Sequence, residues 1–369
     1  MTKDLSYLSY PLPPDIQRLF EAGDFDRMAR VIRQRLEDPR VPKTLHERLR
    51  FQLIIAKEIP EYYRLTQADM LAILQENIND FTEDELETLR DDGTLDWRYI
   101  NGEVHFRNNC LDALLKVRKE YALRAKDPEV QAAADARGQR LNAMITRMKE
   151  EGGMHVRFEL HEEMTVKSDR LTPGETLRIH LPLPVVGAQV KSAALLSTSH
   201  PAAFIAPADE PQRTVYFELP YEPGMTVSAE LAYEIEAPYC QPHAREVLAE
   251  QPTFDTEEMP PHVVFTPYLR ALAKEIVGEE TNPLLKARKI YDFITTQAVY
   301  RYMPPYLTVT NLPEYFMSGL RGDCGVQAIT FITLCRLCGI PAKWQAGLYT
   351  KPDDAGHHDW ARFYIAPYG

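Results

Sequence analysis

The chemistry legible in this chain sits near its C-terminal end, at Cys324 and His358. Cys324 lies in Gly322-Asp323-Cys324-Gly325-Val326-Gln327-Ala328, a short glycine-containing turn running into an apolar stretch that closes on Gly339-Ile340-Pro341. A cysteine at a helix N-terminus feels the positive end of the backbone dipole and the unpaired N–H groups of the first turn. Both favour the thiolate, which is the nucleophilic form. Further along, His357-His358-Asp359-Trp360-Ala361 supplies an imidazole. A thiolate with a histidine as base and acid is the minimum set for acyl transfer through a thioester.

Rigid elements must hold such a pair. Ile329, Ile332, Leu334, Cys335 and Cys338 recur at spacings near three and four, which predicts a helix with one buried stripe. Gly339 suits the left-handed position after a helix, and Pro341 cannot continue one. Asp323 is read as the cap of that helix. Ala342–Tyr349 and Ala361–Ile365 read as strands, with His358 just before the second.

These pieces carry a resemblance. Ala287-Arg288-Lys289-Ile290-Tyr291-Asp292-Phe293-Ile294 matches a lead-in helix and Gly322-Asp323-Cys324-Gly325 the nucleophile turn. Leu337-Cys338-Gly339-Ile340-Pro341-Ala342 matches the helix exit, and His358-x-Trp360-Ala361-x-x-Tyr364 the histidine strand. In this order the segment from about Lys286 to Gly369 resembles the transglutaminase-like superfamily of cysteine enzymes, which has a papain-type helix-on-sheet core. The resemblance implies catalytic roles for Cys324 and His358. It implies a peptidase, a deamidase or a protein-glutamine transglutaminase, acting on protein or peptide amides through a Cys324 thioester. In that family a Trp and an orienting Asp follow the histidine strand. The sequence ends at Tyr368-Gly369, so the core is expected to be truncated at its C-terminus, with the third triad residue beyond Gly369. Asp353, Asp354 and Asp359 are near in sequence, but none occupies the family's position. The competing class is a non-catalytic binding or scaffold protein with an inert core of the same type.

Other reactive residues have plainer readings. Cys335 and Cys338 form a Cys-x-x-Cys, but late in an apolar helix and without a second ligand pair, so they are read as core rather than as a metal or redox site. His357 is read as an exposed or cleft-lining neighbour. No phosphate-cradling glycine loop or zinc motif occurs, and no cofactor or metal is expected.

Composition sets the bounds. The 369 residues suggest two or three domains. Lys and Arg number 42 against 54 Asp and Glu, a formal net charge of −12, which speaks against a nucleic-acid or anionic-membrane footprint. Met1-Thr2-Lys3-Asp4-Leu5-Ser6-Tyr7 lacks the pattern of a secretory leader. With five cysteines, an odd number, the expected compartment is the cytoplasm.

The fold expected is multidomain α+β. Residues 1–152 read as a mostly helical domain, with capping-box spacing at Thr66/Asp69 and Thr82/Glu85 and helices over Leu111–Ala125 and Glu129–Lys149. Asn101-Gly102 within 95–107 marks a hairpin. From 153 to 242 alternating segments with Pro/Gly turns predict a β-sandwich, taken as immunoglobulin-like by analogy. An acidic, proline-containing linker follows. The transglutaminase-like core occupies 262–369, with Tyr300–Tyr306 as a loop before the nucleophile turn.

Overall fold

The computed structural model describes residues 6–167, 171–351 and 354–369, with the backbone alone at 9, 133–138 and 354. The stretch Met1–Leu5, read above for a leader, lies outside these residues. The chain forms two units. One comprises Met1–Gly138, Ala244–Trp344 and Trp360–Gly369; the other comprises Gln139–His243 and Gln345–Asp359.

Caps and turns set the first part of unit one. α1 (Pro14–Glu21) opens on a proline, and α2 (Phe25–Glu37) on Asp24, whose carboxylate accepts from the Arg27 N–H at 3.2 Å. α3 (His46–Tyr62) shares a core with them through Ile16, Phe25, Met28, Ile32, Leu49 and Ile59. After β1 (Leu65–Thr66) come α4 (Gln67–Asn77) and α5 (Glu83–Asp91), each opened by the capping box read from the sequence. The cap oxygen takes the third N–H while the third carboxylate reaches back to the cap N–H, so two orphan donors are satisfied together. β2 (Trp97–Ile100) and β3 (Glu103–Phe106) pair antiparallel across Asn101 and Gly102, whose φ values are 51° and 98°. Two successive left-handed positions are what a type I′ turn demands. β1 adds to β3 to give the order β1-β3-β2.

The single helix expected over Leu111–Ala125 is instead α6 (Cys110–Val117) and α7 (Lys119–Ala122). The break falls at Arg118, whose guanidinium reaches Asp92 and Thr94 at 3.0 Å each and Glu120 at 2.6 Å. These bonds tie it to the α5–β2 connection. α8 (Pro128–Glu151) ends the helical part, and the texture changes to strand at Gly153.

Unit two holds two three-stranded antiparallel sheets, beside the later segment Gln345–Asp359. β4 (Gly153–Thr165), β6 (Val190–Thr198) and β9 (Thr226–Pro238) form one, in the order β4-β9-β6; β5 (Thr176–Pro182), β7 (Phe204–Ile205) and β8 (Thr214–Pro220) form the other, in the order β5-β8-β7. β4 pairs with β9 along its whole length, from Gly153↔Pro238 to Thr165↔Thr226. Alternate residues of both sheets enter one core that includes Ile179, Leu181, Val215, Phe217, Val227 and Leu231. A period of two on each strand makes this possible: one face packs and the other stays wet. Glu162 breaks the pattern. Both its carboxylate oxygens are buried without a hydrogen-bond partner, and burial pushes its pKa up to about 7.

The later part of unit one is helical. α9 (Pro267–Val277) and α10 (Pro283–Gln297) are capped by Thr266 and Asn282 and each has a proline at its start. β10 (Val299–Tyr300) follows, so the expected loop at Tyr300–Tyr306 begins in a strand; a 3₁₀ turn covers Tyr306–Thr308. Next come α11 (Leu312–Gly319), β11 (Arg321–Gly322) and α12 (Cys324–Leu337). β12 (Ala342–Lys351) and β13 (Asp354–Phe363) form a two-stranded sheet, of which Gln345–Asp359 belongs to unit two and only the ends to unit one. Leu269, Ile290, Phe316, Val326, Ile332 and Cys335 are among the residues of this core. The early and late parts of unit one are joined by polar contacts. Arg321 donates to the Asp92 carbonyl, Arg301 to the Gly93 carbonyl at 3.1 Å, and Tyr302 to Asp112 at 2.7 Å. Among the described residues no helix is long and apolar enough to cross a membrane.

Candidate active site

The turn before Cys324 is built by backbone pairing and one cap. α11 ends with Leu320 in the left-handed region (φ 51°), which reverses the chain into β11. β11 pairs parallel with β10, and the Arg301 N–H donates to the Gly322 carbonyl at 3.0 Å. Position 322 must be glycine. A Cβ there would lie 2.1 Å from Cγ1 of Val326 and 3.0 Å from the Phe316 ring. Asp323 is the N-cap: its Oδ1 accepts from the Val326 N–H at 3.1 Å and from the Tyr306 hydroxyl at 2.5 Å. Cys324 is therefore the first residue of α12, half-buried, at the positive end of a fourteen-residue helix.

α12 is more enclosed than its sequence pattern suggested. From Thr330 to Arg336 every residue is buried, so the helix is wrapped on all faces rather than along one stripe. Its polar residues are satisfied locally. Thr330 donates to the Val326 carbonyl at 2.7 Å and Thr333 to that of Ile329 at 2.8 Å. Arg336 donates to the carbonyls of Ala342 at 2.8 Å and Glu257 at 2.7 Å, pinning the far end.

Side chains remote in sequence gather near Cys324. Burial, and next the charge of the neighbouring Cys324, push the Tyr300 hydroxyl well above the usual phenol range, so it stays an O–H donor. The Tyr300 and Tyr302 rings meet edge-on at 5.7 Å, and the Lys116 ammonium lies 4.5 Å from the first centroid and 5.4 Å from the second. The sequence presents Tyr300–Tyr306 only as an aromatic loop of the kind that can wall a cleft, and gives Lys116 no role. β10 is two residues long and carries no alternation, and Lys116 arrives from α6, almost two hundred residues earlier.

Three other thiols, Cys110, Cys335 and Cys338, are wholly or partly buried. Burial pushes Cys110 up to about 12 and raises Cys335 well above its ordinary value, and it also raises Cys338. The Cys-x-x-Cys thus lies against the core cluster. Among the described residues no group of three or more His, Cys, Asp and Glu is placed to hold a metal ion.

His358 lies inside β13, not ahead of a strand as its sequence suggested, and is exposed, as is His357. Its ring meets that of Tyr349 edge-on, with centroids 6.1 Å apart. Asp359 is half-buried beside it, Asp353 lies outside the described residues, and Asp354 is described by backbone alone. By unit, Cys324 belongs to the first and His358 to the second.

A capped turn, a helix-opening cysteine and a pair of strands follow one another along the sequence. Residues 270–369 match the transglutaminase-like superfamily. The transglutaminase-like segment starts within α9 and contains both Cys324 and His358. The family resemblance read from the sequence is thereby borne out for this part of the chain, which is a mixed α and β structure. Among solved structures, similarity is found to a protein from Cytophaga hutchinsonii proposed to be a cysteine protease. Identity is 19%, with 58% of this chain and 76% of that one covered, at a TM-score of 0.42. A likeness at that level carries no argument. No curated protein matches the chain.

Proposed function

We propose that the protein is a cysteine-dependent acyl-transfer enzyme acting on protein or peptide amides. The observation that carries this reading is Cys324 as first residue of a capped helix, buried from Thr330 to Arg336, within a segment of transglutaminase-like sequence. In this proposal the Cys324 thiolate attacks the amide carbonyl. The tetrahedral oxyanion accepts from backbone N–H at the start of α12, that of Cys324 among them, with Tyr300 as a further donor. The imidazolium of His358 gives its proton to the departing amine as the C–N bond breaks, leaving a thioester. Water, or a second amine, attacks the thioester and yields its proton to His358, and the thiolate leaves. Water gives a peptidase or deamidase; an amine gives a crosslinker. The role of His358 rests on its place in the family motif. The same reading takes unit two's paired sheets as an immunoglobulin-like sandwich and the cytoplasm as the compartment.

The test incubates the full chain with glutamine-containing peptides and an amine donor, followed by mass spectrometry. Deamidation, amine incorporation or cleavage should appear, and should vanish in Cys324→Ser and His358→Ala. Product formation that persists in Cys324→Ser, or peptides left untouched by the wild type together with Cys324 alkylation no faster than Cys240, would overturn the reading.

A further inference from the structure

Unit one contains an open cleft of about 770 Å³, within the size range of small-molecule sites, and Cys324 is not on its wall. Its wall joins the β2–β3 hairpin to α11 and the stretch before it. Rings supply much of the surface: Phe20, Tyr63, Trp97, Tyr268 and Tyr315. Most polar groups on the wall are already engaged within the protein. Tyr63 donates to Asp96 at 2.8 Å, Trp97 to the Arg90 carbonyl at 3.1 Å, and Tyr268 to the Met317 carbonyl at 3.0 Å. The Tyr315 hydroxyl accepts from Arg301 at 3.0 Å, and Ser318 donates to the Tyr315 carbonyl at 3.2 Å.

Of the three charged groups on the wall, Asp96 is engaged by Tyr63 and Arg301 and also lends its charge to Arg98, while Arg98 and Glu314 make no side-chain bond to the protein among the described residues. Arg98 is surrounded by the rings of Phe20, Phe25 and Tyr63, at 5.7, 5.2 and 5.6 Å from their centroids. The rings fix the guanidinium in place but accept no ordinary hydrogen bond. Among the described residues its side chain makes no hydrogen bond or ion pair, and its Nε is fully buried without a partner. A guanidinium has five donors in a planar fork suited to a carboxylate. Glu314, in the first turn of α11, lines the same cleft and has no ion-pair partner among the described residues. Opposite charges that do not pair with each other, facing one aromatic cleft, describe the complement of a zwitterion.

We infer that this cleft binds a small zwitterion with an apolar body, an amino acid or short peptide with both ends free. Its carboxylate sits on Arg98, its ammonium on Glu314, and its side chains on the rings. The inference stands apart from the thiol chemistry, and its test reads binding rather than turnover.

Calorimetry on the full chain in a Cys324→Ser background uses L-phenylalanine and phenylalanyl-phenylalanine, with the N-acetyl and C-amide forms of each. At least one zwitterion should bind, and blocking either end should weaken it by ~10–100-fold, the value of one charged hydrogen bond. Glu314→Gln should lose the preference for a free amine and keep that for a free carboxylate; Arg98→Leu should do the reverse. Glu314 has no protein partner to lose, so Glu314→Gln decides the matter should Arg98→Leu not fold. No heat from either zwitterion at millimolar concentration, or equal binding of the blocked forms, overturns the inference.

Discussion

Gly322→Ala is the sharpest probe of the nucleophile turn. The added methyl would sit 2.1 Å from Cγ1 of Val326, where about 4 Å is comfortable, and 3.0 Å from the Phe316 ring. Neither neighbour yields readily. Val326 is a β-branched helical residue with one favoured rotamer, and both it and Phe316 are fully buried. The backbone cannot retreat without breaking the Arg301 N–H bond to the Gly322 carbonyl. Overpacking of this kind costs about 1–3 kcal/mol, and this clash belongs at the upper end, near 3 kcal/mol. Val326→Ala alone should cost about 2 kcal/mol through the cavity it leaves. The double variant removes the clashing methyl, so its cost should fall at least about 1 kcal/mol below the sum of the single ones. Urea unfolding followed by helical circular dichroism supplies all three values. Strict additivity, or a Gly322→Ala cost under about 0.5 kcal/mol, would show that the turn does not have the close approach described.

Two further outcomes are expected. Asp323→Ala removes the cap of α12 and the acceptor for the Tyr306 hydroxyl, and should destabilise by about 2–3 kcal/mol; Tyr306→Phe should cost about 1 kcal/mol, and equal midpoints for the two would contradict the shared-acceptor geometry. Glu162 has a folded pKa raised from 4.5 to about 7 by burial, so the folded state holds the extra proton between those values. Its stabilising contribution is complete below 4.5 and is lost as pH rises through 7. Since the group is partly exposed, the loss should be on the order of 1 kcal/mol. Melting curves from about pH 5 to pH 8 should fall for the wild type and stay flat for Glu162→Gln; parallel curves would refute the assignment.

What the sequence reveals here is local. The caps at Thr66, Thr82, Asn282 and Asp323 bond to groups two or three residues away, so residue type and spacing suffice. The Asn101-Gly102 turn is equally local, needing two left-handed positions in a row. The turn before Cys324 shares this character, which is why the cysteine stood out. Long-range pairing is not visible in this way. The two-residue strands β10 and β11 are too short to show alternation, so Tyr300 was read as loop. The enclosure of α12 depends on elements from α9 to β13, and spacing alone presents it as a stripe. Asp354–Asp359 is a polar run with no apolar period, so nothing marked His358 as strand. Arg118 breaks a helix because of bonds to Asp92 and Thr94, which helix propensity does not include.

The interleaving of the two units along the chain has a consequence for biosynthesis. Asp92 and Gly93 leave the ribosome long before Arg301 and Arg321, their partners in unit one. At about 5–20 residues per second the delay is on the order of ten seconds or more. During that interval the nascent N-terminal helices lack the surface that later covers them, while β4 to β9 are already synthesised but still await Gln345–Asp359 of their own unit. A pause or chaperone visit in that window would fall on the helical part, and slowing translation between residues 138 and 244 would lengthen its exposure without altering a single native contact.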